Sequence, residues 1–108
     1  MYTNCDEIFK LTIPAARAAI AKALDKKYAM SQQQIAKSLG VAQAAVSKYL
    51  SGRYSKRIKA VEKLIEGKRY EMPIAKMIAE REDKKSISSK VDELAANGYV
   101  VKEALKLI

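Results

Sequence analysis

Residues 43–51 read QAAVSKYLS, and their side chains sort into two faces when wound at about 100° per residue. Gln43, Ala44, Ser47, Lys48 and Ser51 fall on one face; Ala45, Val46, Tyr49 and Leu50 fall on the other. The first face carries an amide, hydroxyls and an ammonium, and no acid. Those groups suit the DNA major groove. Glutamine pairs bidentately with adenine, lysine donates to guanine, serine contacts either, and a small alanine meets a thymine methyl. A carboxylate on this face would be repelled by phosphates unless it read cytosine. The face of Gln43, Ala44, Ser47, Lys48 and Ser51 is therefore a candidate base-reading surface.

Such a helix needs a partner that presents it. Ser31 with Gln34 three residues later is a capping box, and Met30 with Ile35 has the spacing of a hydrophobic staple. A helix therefore starts at residue 32, turns Ile35, Ala36 and Leu39 inward, and ends at Gly40, where left-handed backbone costs little. Three or four residues around Gly40 separate it from the next helix, and Ala36 is small where the two must cross. The arrangement is a helix-turn-helix over residues 31–52.

The pattern of Ser31, Gln32, Ile35, Ala36, Leu39, Gly40, Val41, Gln43, Val46, Tyr49, Leu50 and Gly52 resembles the helix-turn-helix of lambda-repressor/Cro-like transcription regulators. With the upstream IPAARAAIAKAL, the chain is also similar to small archaeal-type predicted transcriptional regulators. The resemblance implies that Gln32 contacts a phosphate and braces the recognition helix. It also implies that Gln43, Ala44, Ser47 and Lys48 read base edges. The sequence departs from many members at Ala42, where Ser or Thr serves as an N-cap; alanine caps poorly and leaves helix N–H groups for a phosphate to fill.

Directly after the recognition helix comes SGRYSKR, which places Arg53, Tyr54, Lys56 and Arg57 near the DNA backbone as candidate phosphate-binding residues. From Lys48 to Arg69 there are eight basic residues and two acids, Glu62 and Glu66. Each phosphate neutralised by such groups releases counterions and makes binding salt-dependent. The whole chain of 108 residues carries a formal charge of +9, a balance that fits a polyanionic partner.

Composition excludes much else. There is no histidine, which removes Cys/His zinc sites and every mechanism built on a His base. A lone cysteine, Cys5, forbids an intrachain disulfide and suits a cytoplasmic setting; it reads as a small buried hydrophobe. No nucleophile–base pair, phosphate loop or metal cluster is visible, so an enzyme is not expected, and neither a cofactor nor a small-molecule ligand is implied. No apolar run approaches the roughly 20 residues of a membrane span, and MYTNCDEIFK does not read as a signal peptide.

The remaining chain reads as helix throughout, so the expected fold is all-α: a lambda-repressor-like core with additional C-terminal helices. Asn4 and Glu7 form a capping-box pattern that opens a short first helix. Pro14 then begins or kinks a helix reaching about residue 28. Further helices are expected over 56–66, with Gly67 as a stop, over 73–82, over 87–97 with Gly98 as a stop, and over 100–108. Residues 1–70 form the DNA-binding domain, and 71–108 a helical segment for dimerisation or core completion. A rival for the latter is a winged-helix-like unit, with SISSKVDELAANGYVV as helix and strand. The expected function is a sequence-specific, homodimeric transcription regulator on double-stranded DNA. The alternatives are a non-specific nucleoid or RNA-binding protein, and an antitoxin-like regulator whose main partner is a protein.

Overall fold

The computed structural model describes the backbone of residues 3–108 and the side chains of residues 7–108. Seven helices are described: α1 Thr3–Tyr28, α2 Gln32–Leu39, α3 Gln43–Ser51, α4 Lys56–Lys68, α5 Glu71–Ala79, α6 Lys84–Ala95 and α7 Gly98–Leu105. The expected Asn4 cap and the environment of Cys5 rest on side chains outside the described residues.

The first helix organises the rest. It buries Ile8, Thr12, Ala15, Ala16, Ala18, Ala19, Ile20, Ala21 and Leu24, and it touches each of the other six helices. Its alanines let neighbouring backbones come close, and Ile20 and Leu24 fill the space between them. Pro14 does not begin a new helix, and the short first helix expected before it is not separate: α1 runs through Pro14 as one element of 26 residues. An interior proline costs about 3 kcal/mol. Burial on both sides of it, from Ile8 and Thr12 to Ala15 and Ala19, outweighs that cost.

The helix-turn-helix begins and ends where the sequence places it. Ser31 accepts from the Gln34 backbone N–H at 3.1 Å, and Gln34 Oε1 accepts from the Ser31 N–H at 2.9 Å. Gly40, at φ 69°, ends α2 in the left-handed region, and the Val41 N–H donates to the Ala36 carbonyl at 3.0 Å. Gly52, at φ 73°, ends α3 in the same way, with the Arg53 N–H on the Lys48 carbonyl at 3.1 Å. These bonds close two carbonyl-capping motifs that favour glycine.

Two other glycines do not stop helices. Gly67 lies inside α4, which ends at Arg69 in left-handed backbone, φ 58°. There the Tyr70 N–H donates to the Ile65 carbonyl at 3.2 Å, and the half-buried Tyr70 ring packs on the core. That apolar contact beyond the cap sets the stop. Gly98 opens α7, because Asn97 Oδ1 accepts from the Tyr99 and Val100 N–H groups at 2.9 and 3.1 Å. Likewise α6 starts at Lys84, three residues before the expected position, because Asp83 caps it by accepting from the Ser86 N–H at 3.0 Å. The winged-helix reading fails at this point: GYVV is the first turn of α7, and no strand occurs among the described residues.

Residues 71–108 complete the core. Ile74, Ala75, Ile78, Ile87, Val91, Leu94, Val100 and Ala104 join one apolar cluster with α1, α2, α3 and α4. The radius of gyration, 13.0 Å, equals that of one compact domain of this length, about 13 Å.

Because Ala19 is buried where α1 meets its neighbours, Ala19→Leu is expected to lower stability by roughly 1–3 kcal/mol through overpacking. Urea denaturation monitored by circular dichroism measures the loss. An unchanged midpoint would show that the neighbouring helices can move apart at no cost.

Candidate nucleic-acid interface

The recognition helix α3 is held by its inner face. Val46 is fully buried, and Ala45, Tyr49 and Leu50 are half-buried. Gln43, Ala44, Lys48 and Ser51 are exposed and Ser47 is half-buried, so the wheel's two faces are kept in three dimensions. Ala42 occupies the N-cap with φ −69° and ψ 149° and makes no side-chain cap bond. The first N–H groups of α3 therefore face outward without a side-chain acceptor.

Around this face the basic residues are exposed. Lys56 and Arg57 lie in the first turn of α4, behind the Ser55 cap, which accepts from the Ile58 N–H at 3.2 Å. Arg53 folds back over α3: its Nε donates to Ser51 Oγ at 3.0 Å and its Nη2 to Ser47 Oγ at 3.5 Å. Gln32 stands exposed at the first position of α2. No hydrogen bond among the described residues joins its side chain to α3, so the bracing implied by resemblance has no such counterpart here.

Tyr54 occupies a different place from the expected one. Its hydroxyl donates to Glu62 Oε1, which commits the only proton it could offer a phosphate. Its ring meets Tyr49 of α3 edge-on, with centroids 6.4 Å apart and planes at 73°. Lys22 and Lys59 each hold an ammonium 5.7 Å from the Tyr54 ring centre. Beneath it, Lys22 Nζ pairs with Glu62 Oε2 at 2.8 Å, and Glu62 is 3% exposed. Tyr54 is thus the link between recognition helix, α1 and α4.

Sequence reasoning missed this hub, although a signal existed. Glu62 lies in the apolar register of α4, four residues after Ile58 and three before Ile65, and an acid in that register must find a buried partner. Burial alone would lower the Lys22 pKa; the paired Glu62 carboxylate, with Tyr54 beside it, outweighs that and holds the ammonium well above its ordinary range. Burial, then the bond to Glu62, raises the Tyr54 hydroxyl. Burial and the adjacent Glu62 carboxylate push Glu66 up to about 7. Burial likewise raises Glu71.

The paired caps, short turn, inner apolar face and basic, acid-free outer face define a helix-turn-helix DNA-binding domain. The model of the ParB HTH domain matches residues 13–108, from the middle of α1 through α7. The chain belongs to that family. No curated protein and no solved structure matches it. No described helix is long and apolar enough to cross a membrane.

Removing Lys22 strands a buried carboxylate. Lys22→Met is expected to cost about 3 kcal/mol, measured by chemical denaturation, and a loss below a few tenths would show that the pair contributes nothing. The raised Glu66 sets a pH dependence. Its folded form holds the proton more tightly than the unfolded chain, so its stabilising contribution is complete below the ordinary carboxyl value of 4.5 and is lost as pH rises through about 7. Glu71 acts in the same direction. Calorimetry from about pH 5 to about pH 8 is expected to show a falling thermal midpoint in the wild type. Glu66→Gln is expected to have a shallower fall and a higher midpoint at the alkaline end; parallel curves would refute the assignment.

Proposed function

We propose that this helix-turn-helix protein is a sequence-specific transcription regulator that binds double-stranded DNA as a homodimer. The carrying observation is the outer face of α3, where Gln43, Ala44, Ser47 and Lys48 stand together without an acid. In this reading α3 enters the major groove and Gln43 pairs with a base edge. Gln32, Lys56 and Arg57 fix the helix on phosphates, and the resemblance to Cro-like and archaeal-type regulators supports regulation as the outcome. The lone cysteine supports a cytoplasmic setting, and the absence of histidine supports a non-catalytic role. Exposed Tyr99, Leu105 and Ile108, at 36%, 46% and 47%, support a dimer. A two-fold dimer would span half-sites about one helical turn apart, near 34 Å.

Family membership favours a second reading, in which the bound DNA is a partition site and the protein serves segregation. Transcription from a reporter carrying the selected site, set against inheritance of a plasmid carrying it, separates the two. A stoichiometric partner protein that stays bound through purification would instead favour an antitoxin-like role.

Gln43→Ala is expected to weaken binding by roughly 1–3 kcal/mol at the selected site only. Lys56→Ala is expected to weaken all sequences alike and to reduce the salt slope by about one. Fluorescence anisotropy against salt, on selected and random duplexes, measures both. An equal loss for Gln43→Ala on random DNA would make the protein a non-specific binder.

A further inference from the structure

Arg53 stands two residues past the end of α3, in the basic flank, where sequence assigns it to the phosphates. Its side chain takes another course. It turns back along the outer face of α3 and spans about one turn of that helix, from Ser51 to Ser47. Both serines lie on the face that carries Gln43, Ala44 and Lys48, so the guanidinium lies on that face too. Ser51 is itself fixed: while accepting from Arg53 at 3.0 Å, its hydroxyl donates to the Lys48 carbonyl at 3.3 Å. The start of the side chain is fixed as well, since the Arg53 backbone N–H closes the helix end on the Lys48 carbonyl at 3.1 Å.

A guanidinium has five N–H groups. The two serines take Nε and one hydrogen of Nη2. The other edge, formed by Nη1 and the second hydrogen of Nη2, makes no hydrogen bond among the described residues. That edge is the fork that matches the N7 and O6 acceptors of guanine. A phosphate anchor has no need of serine latches, because one charge near the backbone suffices. A base reader gains from them, since a long side chain held in its bound geometry loses less entropy on binding.

We propose that Arg53, latched by Ser47 and Ser51, is a base-reading residue that selects a guanine in the bound site. Ser47 then acts by positioning Arg53 as well as by facing the DNA. The proposal rests on the reading of α3 as the major-groove helix and adds to it the identity of one base.

The test selects bound sequences from a random duplex pool with the wild type, Arg53→Ala, Arg53→Lys and Ser47→Ala. Each is then measured by anisotropy on the wild-type consensus, on that consensus with one guanine replaced, and on random DNA. Arg53 is exposed, so the variants are expected to fold, and circular dichroism checks this. Arg53→Ala should lose about tenfold or more on the consensus and little on the guanine-replaced duplex. Its selected consensus should lose that guanine, with the salt slope on the consensus unchanged. Arg53→Lys should keep binding to random DNA while losing part of the discrimination, because lysine lacks the planar fork. Ser47→Ala should weaken the same guanine preference without changing the salt slope. A uniform loss for Arg53→Ala on all three duplexes, with the slope reduced by about one, would make Arg53 a phosphate anchor and overturn the proposal. An Arg53→Ala consensus identical to the wild type would overturn it while leaving base reading by α3 intact. A wild type that selects no consensus would overturn both.

Discussion

Close packing around one alanine-lined helix is the constraint on which the structure depends. Ala15, Ala16, Ala19 and Ala21 of α1 are at most 1% exposed, and six helices converge on that element. Small residues bring backbones near, and the short side chains lose little rotamer freedom on burial. What they cannot do is fill space. That falls to Ile20, Leu24, Ile35, Ile65, Val46 and Val61, which come from four different helices and are fully buried. Protein interiors tolerate few voids, so none of these helices can shift without opening one. The helix-turn-helix is presented in one orientation because its supporting surface is filled from all sides.

One polar cluster is set into that apolar frame. Glu62 lies between Lys22 of α1 and Tyr54 of the turn after α3. Ions removed from water contribute little net stability even when paired. What this group does contribute is direction, since a pair and a hydrogen bond with defined geometry fix the turn where apolar contact alone would let it slide. Through the Tyr49–Tyr54 ring contact the same group fixes the C-terminal end of α3. The basic stretch from Lys48 to Arg69 then exposes almost only positive charge, because its two acids, Glu62 and Glu66, are buried or half-buried.

Legibility in the sequence followed the range of the interactions. Three of the four ends of the motif helices were readable because local chemistry sets them, through Ser31 with Gln34, Gly40, and Gly52, whereas the start of α3 at the uncapped Ala42 was legible only to within a residue. Helix content throughout was readable from apolar spacing. Ends set at a distance were not. Gly67 and Gly98 looked like stops, but the burial of Tyr70 and the Asn97 cap decided those positions. Of the two readings of Pro14, a new helix start was not borne out, because packing on both flanks carries α1 through it. At the interface, which residues face outward was readable from the wheel, whereas what each side chain bonds was not. Tyr54 and Arg53 stand in the same basic stretch, yet one turns under the surface to Glu62 and the other over it to Ser47 and Ser51. Nothing local distinguishes two such neighbours; only the position of Glu62 in an apolar stripe hinted at the first.

The outward side chains of α3 take almost no part in holding the molecule together. Gln43, Ala44 and Lys48 are exposed and lie outside the apolar cluster, while Val46, Tyr49 and Leu50 carry the attachment. If α3 reads DNA as proposed, folding and target choice are written in separate letters of the same nine-residue word. A lineage can rewrite the first set by single changes, drift to a new binding site, and never pass through an unfolded intermediate. The serine–arginine latch is where the two texts overlap. It ties one outward position to the end of the helix, and on the proposed reading of Arg53 a change of target there would require two substitutions together.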